Sequence, residues 1–480
     1  MKQVDADIGI IAAGPAGLAA AAAAAEKGAK VVVFEKSSVT GGCGNMAMGP
    51  FGVESRLQKQ QIIGLTCDEA FKIHMDFNHW MPDARLVRAF IDKSGDTIDW
   101  IEGMGVKFLA ATRHFTSSQP TWHVLRIDNK AHGTGAIIFK AMTDRAKERG
   151  AKFFFNTPVQ RIIKKEGVVV GFEAEDRSGE TIQVNVKSVV IATGGFGGNA
   201  QMIKKHTGYQ WGQDLFSFKI PGLEGDGLKM AWEVGAAKTH MIMELYCSVP
   251  QQDQYWNIDA VFRQPNLLVN LNGERFFNEE IIVNNTFAGN AISGQKERCA
   301  FMIFDETIKN YYLENGFDQI CYDIPVDDAS QFDAELQRAI DADSKDFFAA
   351  DSLDELALKT GIKAENLKNT IDTYNKACGC RDALFNKSYT YMKPIEKPKY
   401  YAGRLVPSGF GSLGGIKINH KTEVVDKNFE VISGLYAAGT DANSIHSECY
   451  TFILPGNSMG FAINSGRIAG ESAAKYVASL

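Results

Sequence analysis

An α/β fold is predicted for this 480-residue chain by three observations. A short apolar run, Ile8 to Ala12, leads through a glycine turn into an alanine-rich stretch, then into a second apolar run ending on Glu35. The pattern of an apolar run followed by a glycine turn returns at 188–197 and at 434–441. Hydrophobic residues make up 45% of the chain against only 13 prolines, so a large core can be buried and a disordered chain is excluded. The length sets an expectation of two to three domains.

Ile8-Gly-Ile-Ile-Ala12 has the length and character of a buried strand. Ala13-Gly14-Pro15-Ala16-Gly17 is a tight turn, and a helix is expected from Leu18 through the seven alanines Ala19 to Ala25, stopping at Gly28. Lys30 to Phe34 is the next strand. The three make a βαβ unit whose turn suits a pyrophosphate. Gly14 lets the backbone approach the phosphates, Gly17 lets helix pack on strand, and the first N–H groups of the helix face the anion. Glu35, with Lys36 beside it, stands 18 residues after Gly17, where a carboxylate accepts ribose hydroxyls. Ala12 replaces the first glycine of G-x-G-x-x-G.

The run from Ile8 to Ala25 contains three glycines and a proline and follows Asp5 and Asp7, so neither a secretory leader nor a membrane segment is expected, and the location expected is cytoplasmic. With 51 basic and 57 acidic residues the net charge is −6, which excludes nucleic acid as a partner. Eight cysteines (Cys43, Cys67, Cys247, Cys299, Cys321, Cys378, Cys380 and Cys449) are scattered, and reduced thiols are expected. The close pair Cys378 and Cys380 lacks a second pair or nearby histidines, so no metal site is expected.

Two further kinds of segment narrow the dinucleotide. Thr40-Gly41-Gly42-Cys43-Gly44-Asn45-Met46 is a second glycine loop after the strand ending at Glu35. Ser188 to Ile191 runs into Ala192-Thr193-Gly194-Gly195, and Gly434 to Ala438 into Gly439-Thr440-Asp441. Together with the first turn, these segments resemble flavoproteins of the fumarate reductase, succinate dehydrogenase and 3-ketosteroid dehydrogenase superfamily. The resemblance covers most of the chain, least well between about 285 and 395. It implies FAD in a Rossmann-like α/β domain of glutathione-reductase type, split into 1–240 and 401–480 around an inserted α+β capping domain, 241–400. Composition agrees, since 325–375 reads as charged amphipathic helices unlike the glycine-rich ends. Asp441 would lie near the ribitol or pyrophosphate and Val159 near the adenine. Ala13, Gly14, Pro15, Ala16, Gly17, Glu35, Lys36, Gly41, Gly42, Asn45, Met46, Ala192, Thr193, Gly194 and Gly439 complete the implied cradle. Gly456-Asn457-Ser458-Met459 opens the last helix, whose positive end would face the flavin N1/O2 edge.

In succinate dehydrogenase-like members, a histidine in the loop after the second strand carries the flavin covalently. Gly41 to Met46 contains none, so the resemblance implies non-covalent FAD. No second complete G-x-G-x-x-G, no CxxCH and no iron–sulfur spacing is present, so the electron donor or acceptor is external and unknown.

The resemblance to fumarate reductases fails where the dicarboxylate is held. A bound dianion needs paired cations, in that family two histidines and two arginines. The matching positions here are Cys247, Gly411, Val283 and about Ser458. Arg275, in Gly273-Glu-Arg275-Phe276, reads as cap scaffold. Arg263 sits one place from the family's proton-relay arginine, where Phe262 stands, with Asp259 at the acid position; a one-residue slip would restore the relay.

Ser444-Ile-His446-Ser-Glu448-Cys-Tyr450-Thr451 is similar to the segment of ketosteroid-type members in which a tyrosine faces the substrate. A phenol with a pKa near ~10 stays protonated at neutral pH and can donate to a carbonyl or carbanion. Tyr450 is the first candidate for general acid, the alternative being a core tyrosine satisfied by backbone. His446 is the second, and Glu448 is spaced to point the same way on an extended run. Tyr246 and Cys247 would shape the pocket from the cap. The implied activity is FAD-dependent oxidoreduction of a C=C or CH–CH bond with hydride transfer at flavin N5. The small-molecule substrate would be an enone, a steroid-like ring or a monocarboxylate enoate, and not fumarate. A flavin-bearing electron-transfer subunit that needs a partner, a fumarate reductase with a divergent site, and an oxidase returning electrons to O₂ are the alternatives.

Overall fold

The computed structural model describes residues 2–126, 133–217, 221–320, 326 and 328–480, which leaves Cys321 outside the described residues. The chain divides into two compact units: Met1–Gly208, Lys219–Met243 and Gly411–Leu480 form one, Tyr209–Phe218 and Glu244–Phe410 the other. The second boundary lies ten residues beyond the expected 400/401. The long strand Tyr400–Gly415 starts inside the second unit, where it is laddered antiparallel to Ala300–Asp305 from Tyr400 to Leu405.

The first unit is built on a six-stranded sheet. Its order is Glu423–Val425, Val431–Ala437, Ser188–Ile191, Ile8–Ile11, Val31–Glu35, Lys152–Phe155. All pairs are parallel except the first, with Ile8 opposite Val31 on one side and Ser188 on the other. Strands covered on both faces read as continuous apolar runs, which is why Ile8–Ile11 and Val31–Glu35 lack alternation. The unit also holds a four-stranded sheet (Lys2–Asp5, Thr181–Asn185, Val168–Glu175, Val159–Lys165), the short pair Ala110–Thr112 and Trp122–Val124, and a ladder of Gly414–Gly415 with Ala442–Asn443.

The first helix spans Pro15–Glu26, three residues earlier than the Leu18 start expected from sequence. Proline is at home there, since its missing N–H has no partner at the first helical position and its φ is already helical. All seven alanines are buried. The last helix, Asn457–Ala478, lies against them so closely that a Cβ on Gly466 would sit 2.2 Å from the Ala16 carbonyl oxygen, and one on Gly470 2.3 Å from that of Ala20. Small residues on both helices allow this approach. No helix among the described residues is long and apolar enough to cross a membrane.

The second unit wraps helices Phe332–Asp341, Leu353–Thr360 and Ala364–Cys378 and strand Phe347–Ala350 around the Tyr400 strand. Its core carries an aromatic cluster in which Phe262 meets Phe304, Phe332 and Phe347, and Phe304 meets Phe332. Arg275 is locked inside it by Glu279 at 2.7 Å and Asp382 at 2.9 Å, a scaffold arrangement. A buried pair of this kind is strongly destabilising to break, because one uncompensated charge remains.

Candidate functional site

Strands Ile8–Ile11, Ser188–Ile191 and Val431–Ala437 run parallel, so the turns that follow them emerge at one edge of the first unit's sheet. That edge is where open α/β sheets bind ligands. Gly14 caps the first helix with no side-chain bond, and no acid sits in the first turn, so the leading N–H groups are left for an anion. Gly17 would bring a Cβ to 2.0 Å from the Ala12 carbonyl oxygen, which accounts for glycine there. Ala12 itself has φ +81°, the left-handed conformation that the missing first glycine would adopt without cost.

The loop 41–46 nests against this turn. Gly41 donates its N–H to the Ala13 carbonyl at 2.8 Å, and both Gly41 (φ +99°) and Gly42 (φ +49°) are left-handed. A Cβ on Gly42 would lie 3.6 Å from the Gly14 Cα. Asn45 donates to the Thr40 carbonyl at 2.9 Å, while Met46, closing the short 3₁₀ turn Gly42–Met46, is exposed.

Glu35 is fixed by backbone donors. One carboxylate oxygen accepts the Ala13 N–H and the other the Ser37 N–H, each at 2.7 Å. Lys36 pairs with Asp226 at 2.6 Å. The Asn156–Thr157 stretch runs alongside, donating to the Ser37 and Glu35 carbonyls at 2.9 Å, and Val159 follows at the start of its strand. Asp441 is fully buried and gathers the 193–195 turn: it accepts from the Thr193 hydroxyl at 2.9 Å, from the Thr193 and Gly194 N–H groups, and from the Gly195 N–H at 2.9 Å. Burial pushes its carboxyl above the usual range despite those donors. Ala192 is buried just before that turn. Gly439 is held over the first helix, where a Cβ would meet that of Ala16 at 2.8 Å. The last helix begins at Asn457 behind a left-handed Gly456, again without a side-chain cap, with Ser458 half-buried and Met459 buried in its first turn.

Glycine cradles, two helix starts behind glycine and a backbone-clamped acid suit a dinucleotide with a negatively charged middle. Glu35 would hold the ribose, and the 14–17 turn with loop 41–46 the phosphates.

Tyr450 is 4% exposed, and its phenolic oxygen accepts the Ser458 N–H at 3.2 Å, tying it to the start of the last helix. Its ring lies 4.9 Å from that of His446. His446 is buried and Glu448 exposed: the segment bends at 447–449, so the alternation of an extended run does not hold there. Three side chains that sequence reasoning passed over join His446. Thr451 lies 3.0 Å from His446 Nδ1, Asn78 donates to the Thr451 hydroxyl at 2.7 Å, and the His74 ring is centred 5.5 Å from that of His446. Ala70, His74 and Asn78 recur every four residues on and just past helix Cys67–Phe77, all fully buried. Two polar residues on the buried stripe of a helix were the available signal.

In the second unit Tyr246 is buried and stacked on Phe410, ring centres 4.0 Å apart at 15°. Cys247 is fully buried. Arg263 pairs with Asp259 at 2.6 Å and donates to the Cys247 carbonyl at 3.4 Å, while Asp259 accepts the Val249 N–H at 3.0 Å; the pair thus fastens the end of strand Ile242–Ser248. Phe262 is core. Of the positions that the sequence resemblance matched to family cations, Val283 closes a 3₁₀ turn and a Cβ on Gly411 would meet nothing within 4 Å.

A family model described as FAD binding domain matches residues 7–458. The vinyl phenol reductase of Lactiplantibacillus plantarum is 30% identical over 485 residues, covering 98% of this chain and 96% of that one. The fumarate reductase (cytochrome) of Shewanella frigidimarina is 28% identical over 480 residues, covering 98% and 77%. A solved 3-ketosteroid-delta4-(5alpha)-dehydrogenase from Rhodococcus jostii RHA1 has a TM-score of 0.78 at 24% identity over 99% of this chain and 98% of that one, a likeness of fold. The matched stretch takes in both units almost end to end, and the chain belongs to the FAD binding domain family of flavoproteins.

Proposed function

We propose that this chain is an FAD-dependent oxidoreductase of CH–CH bonds that reduces, or in reverse forms, an activated C=C bond in an uncharged or singly charged acceptor. The observation that carries the acceptor class is the Tyr246–Phe410 stack, which directly precedes Cys247 and Gly411, the two positions that the sequence resemblance matched to histidines of the dicarboxylate clamp. A stacked aromatic pair favours a flat or aryl-bearing acceptor over a dianion. Arg263 offers no clamp, because its guanidinium is engaged with Asp259 and the Cys247 carbonyl. The relative named vinyl phenol reductase supports the same class.

Bound FAD, held without a covalent link, would supply or accept the hydride at N5. The chain's own part is to fix that group and to handle the proton. The backbone N–H groups at Ala16 and Gly17 and the positive end of the last helix at Asn457 favour negative charge beside them. Tyr450 gives the proton to the carbon next to the activating group, or takes it in reverse, with His446 packed against its ring.

The test is to photoreduce the flavin-loaded protein and mix it with aryl alkenes, enones, enoates and fumarate. Fast reoxidation by an aryl alkene or enone is expected. If fumarate alone reoxidises it quickly, the acceptor class is wrong. Acid precipitation should release the yellow chromophore; flavin remaining in the pellet would show a covalent link.

A further inference from the structure

His446 and His74 each leave one ring nitrogen buried without a hydrogen-bond partner, Nε2 of the first and Nδ1 of the second. The partners of the other two nitrogens determine where the protons lie. His74 Nε2 is 2.6 Å from the Ile445 carbonyl oxygen. A carbonyl only accepts, so Nε2 carries the hydrogen and Nδ1 of the neutral ring is a bare lone pair. His446 is the reverse case. Its Nδ1 lies 3.3 Å from the Thr451 backbone nitrogen, whose N–H only donates, so Nδ1 is bare and Nε2 carries the hydrogen.

A chain of side chains enforces that choice. The Asn78 amide oxygen accepts the Ser447 N–H at 2.9 Å and the Ser447 hydroxyl at 3.2 Å, which orients the amide. Its nitrogen then donates to the His74 carbonyl at 2.8 Å and to the Thr451 hydroxyl at 2.7 Å. With its oxygen accepting from Asn78, the Thr451 hydroxyl has its own hydrogen left for His446 Nδ1, 3.0 Å away. Burial, with the His74 ring close by, holds His446 neutral well below the usual imidazole range, and burial lowers His74 to about 4.

We infer that Asn78 is a positioning residue that, through the Thr451 hydroxyl, joins the Thr451 N–H in setting the tautomer of His446, so that His446 presents a neutral Nε2–H donor. A neutral imidazole cannot release that hydrogen without becoming an imidazolate, so His446 acts by hydrogen bonding to an oxygen of the acceptor, and the proton comes from another group. This role in turnover rests on the proposed function; the tautomer does not.

The test uses the full flavin-loaded chain with 15N-labelled histidine, the His446 signals being assigned by their loss in His446→Gln. In the unsubstituted protein, Nε2 should be protonated and Nδ1 bare across about pH 5–8. The titratable side chains against this ring are His74 and Tyr450; Glu448 is exposed. Asn78→Asp keeps an acceptor for Ser447 but cannot donate to Thr451, whose hydroxyl should turn to the carboxylate. His446 should then gain a proton at Nδ1 and titrate inside that window, adding an ionisation to the kcat/KM profile. Thr451→Val removes the hydroxyl that links Asn78 to Nδ1, so adding Asn78→Asp to it should leave the tautomer unchanged; a further change would overturn the route through Thr451. A hydrogen on Nδ1 in the unsubstituted protein, or no change in Asn78→Asp, overturns the inference. If the tautomer is as stated but His446→Gln turns over within a few-fold of the unsubstituted chain, the proposed role of His446 in turnover is what fails.

Discussion

Asp441 and Thr193 stand 248 residues apart in sequence and meet carboxylate to hydroxyl at 2.9 Å, joining the turns that end two neighbouring strands. The folded state favours the protonated carboxyl. That increment of stability is fully present below the ordinary value of about 3.9 and is lost as pH rises through the raised folded value. Asp441→Asn should abolish this acid-range dependence. It should also cost about 1–3 kcal/mol at neutral pH, since an amide cannot accept from the Gly194 and Gly195 N–H groups as a carboxylate does. Urea melts from about pH 4 to pH 7 would check it; parallel curves for the two proteins would refute it.

Ala12 occupies a left-handed conformation. Replacing it by glycine should relieve roughly 1–2 kcal/mol of strain, partly offset by roughly 0.5–1 kcal/mol of added chain entropy. A small rise in Tm with unchanged flavin content is expected. A fall in Tm would show that the methyl group is needed.

Gly466→Ala should act in the opposite direction. The new methyl group meets the Ala16 carbonyl oxygen, a backbone atom that can move only with its helix. Overpacking of this kind costs about 1–3 kcal/mol, and flavin should be lost more readily because the phosphate turn opens that helix. Thermal denaturation and flavin release rates measure both effects.

Tyr450→Phe removes the oxygen that receives the Ser458 N–H. If Tyr450 is the proton donor, turnover should fall by about 10²–10⁴-fold while reduction by dithionite is unchanged. Stability should drop by only about 1 kcal/mol. Turnover within a few-fold of the unsubstituted protein would exclude Tyr450 as the donor.

Phe410→Leu tests the aromatic stack. Loss of the ring pair should raise KM for an aryl acceptor about two- to tenfold with little change in kcat, and leave an aliphatic enone almost unaffected. Equal effects on both acceptors would remove the stack from recognition.

The stretch from Ile8 to Glu35 was legible because its signals are local: strand, glycine, helix and acid lie within one βαβ unit. Its largest boundary shift, Leu18 for Pro15, came from treating proline as part of the turn when it also suits a first helical position. The clamp of Asp441 on the 193–195 turn was not legible, because the sheet sets that pairing and sequence spacing does not. His74 and Asn78 were missed for the same reason: they meet the 445–451 segment from about 370 residues away. Glu448 was assigned by two-residue alternation, a rule that lapses once the backbone bends.

The seating of Gly466 and Gly470 on Ala16 and Ala20 bears on when the protein can mature. A twelve-residue alanine helix is marginal alone in water, and its partner is encoded roughly 430 residues later. At about 5–20 residues per second, a ribosome takes roughly 20–90 s to deliver that partner. Until then the phosphate turn has no firm support, so cofactor capture has to wait until the helix Asn457–Ala478 has been made.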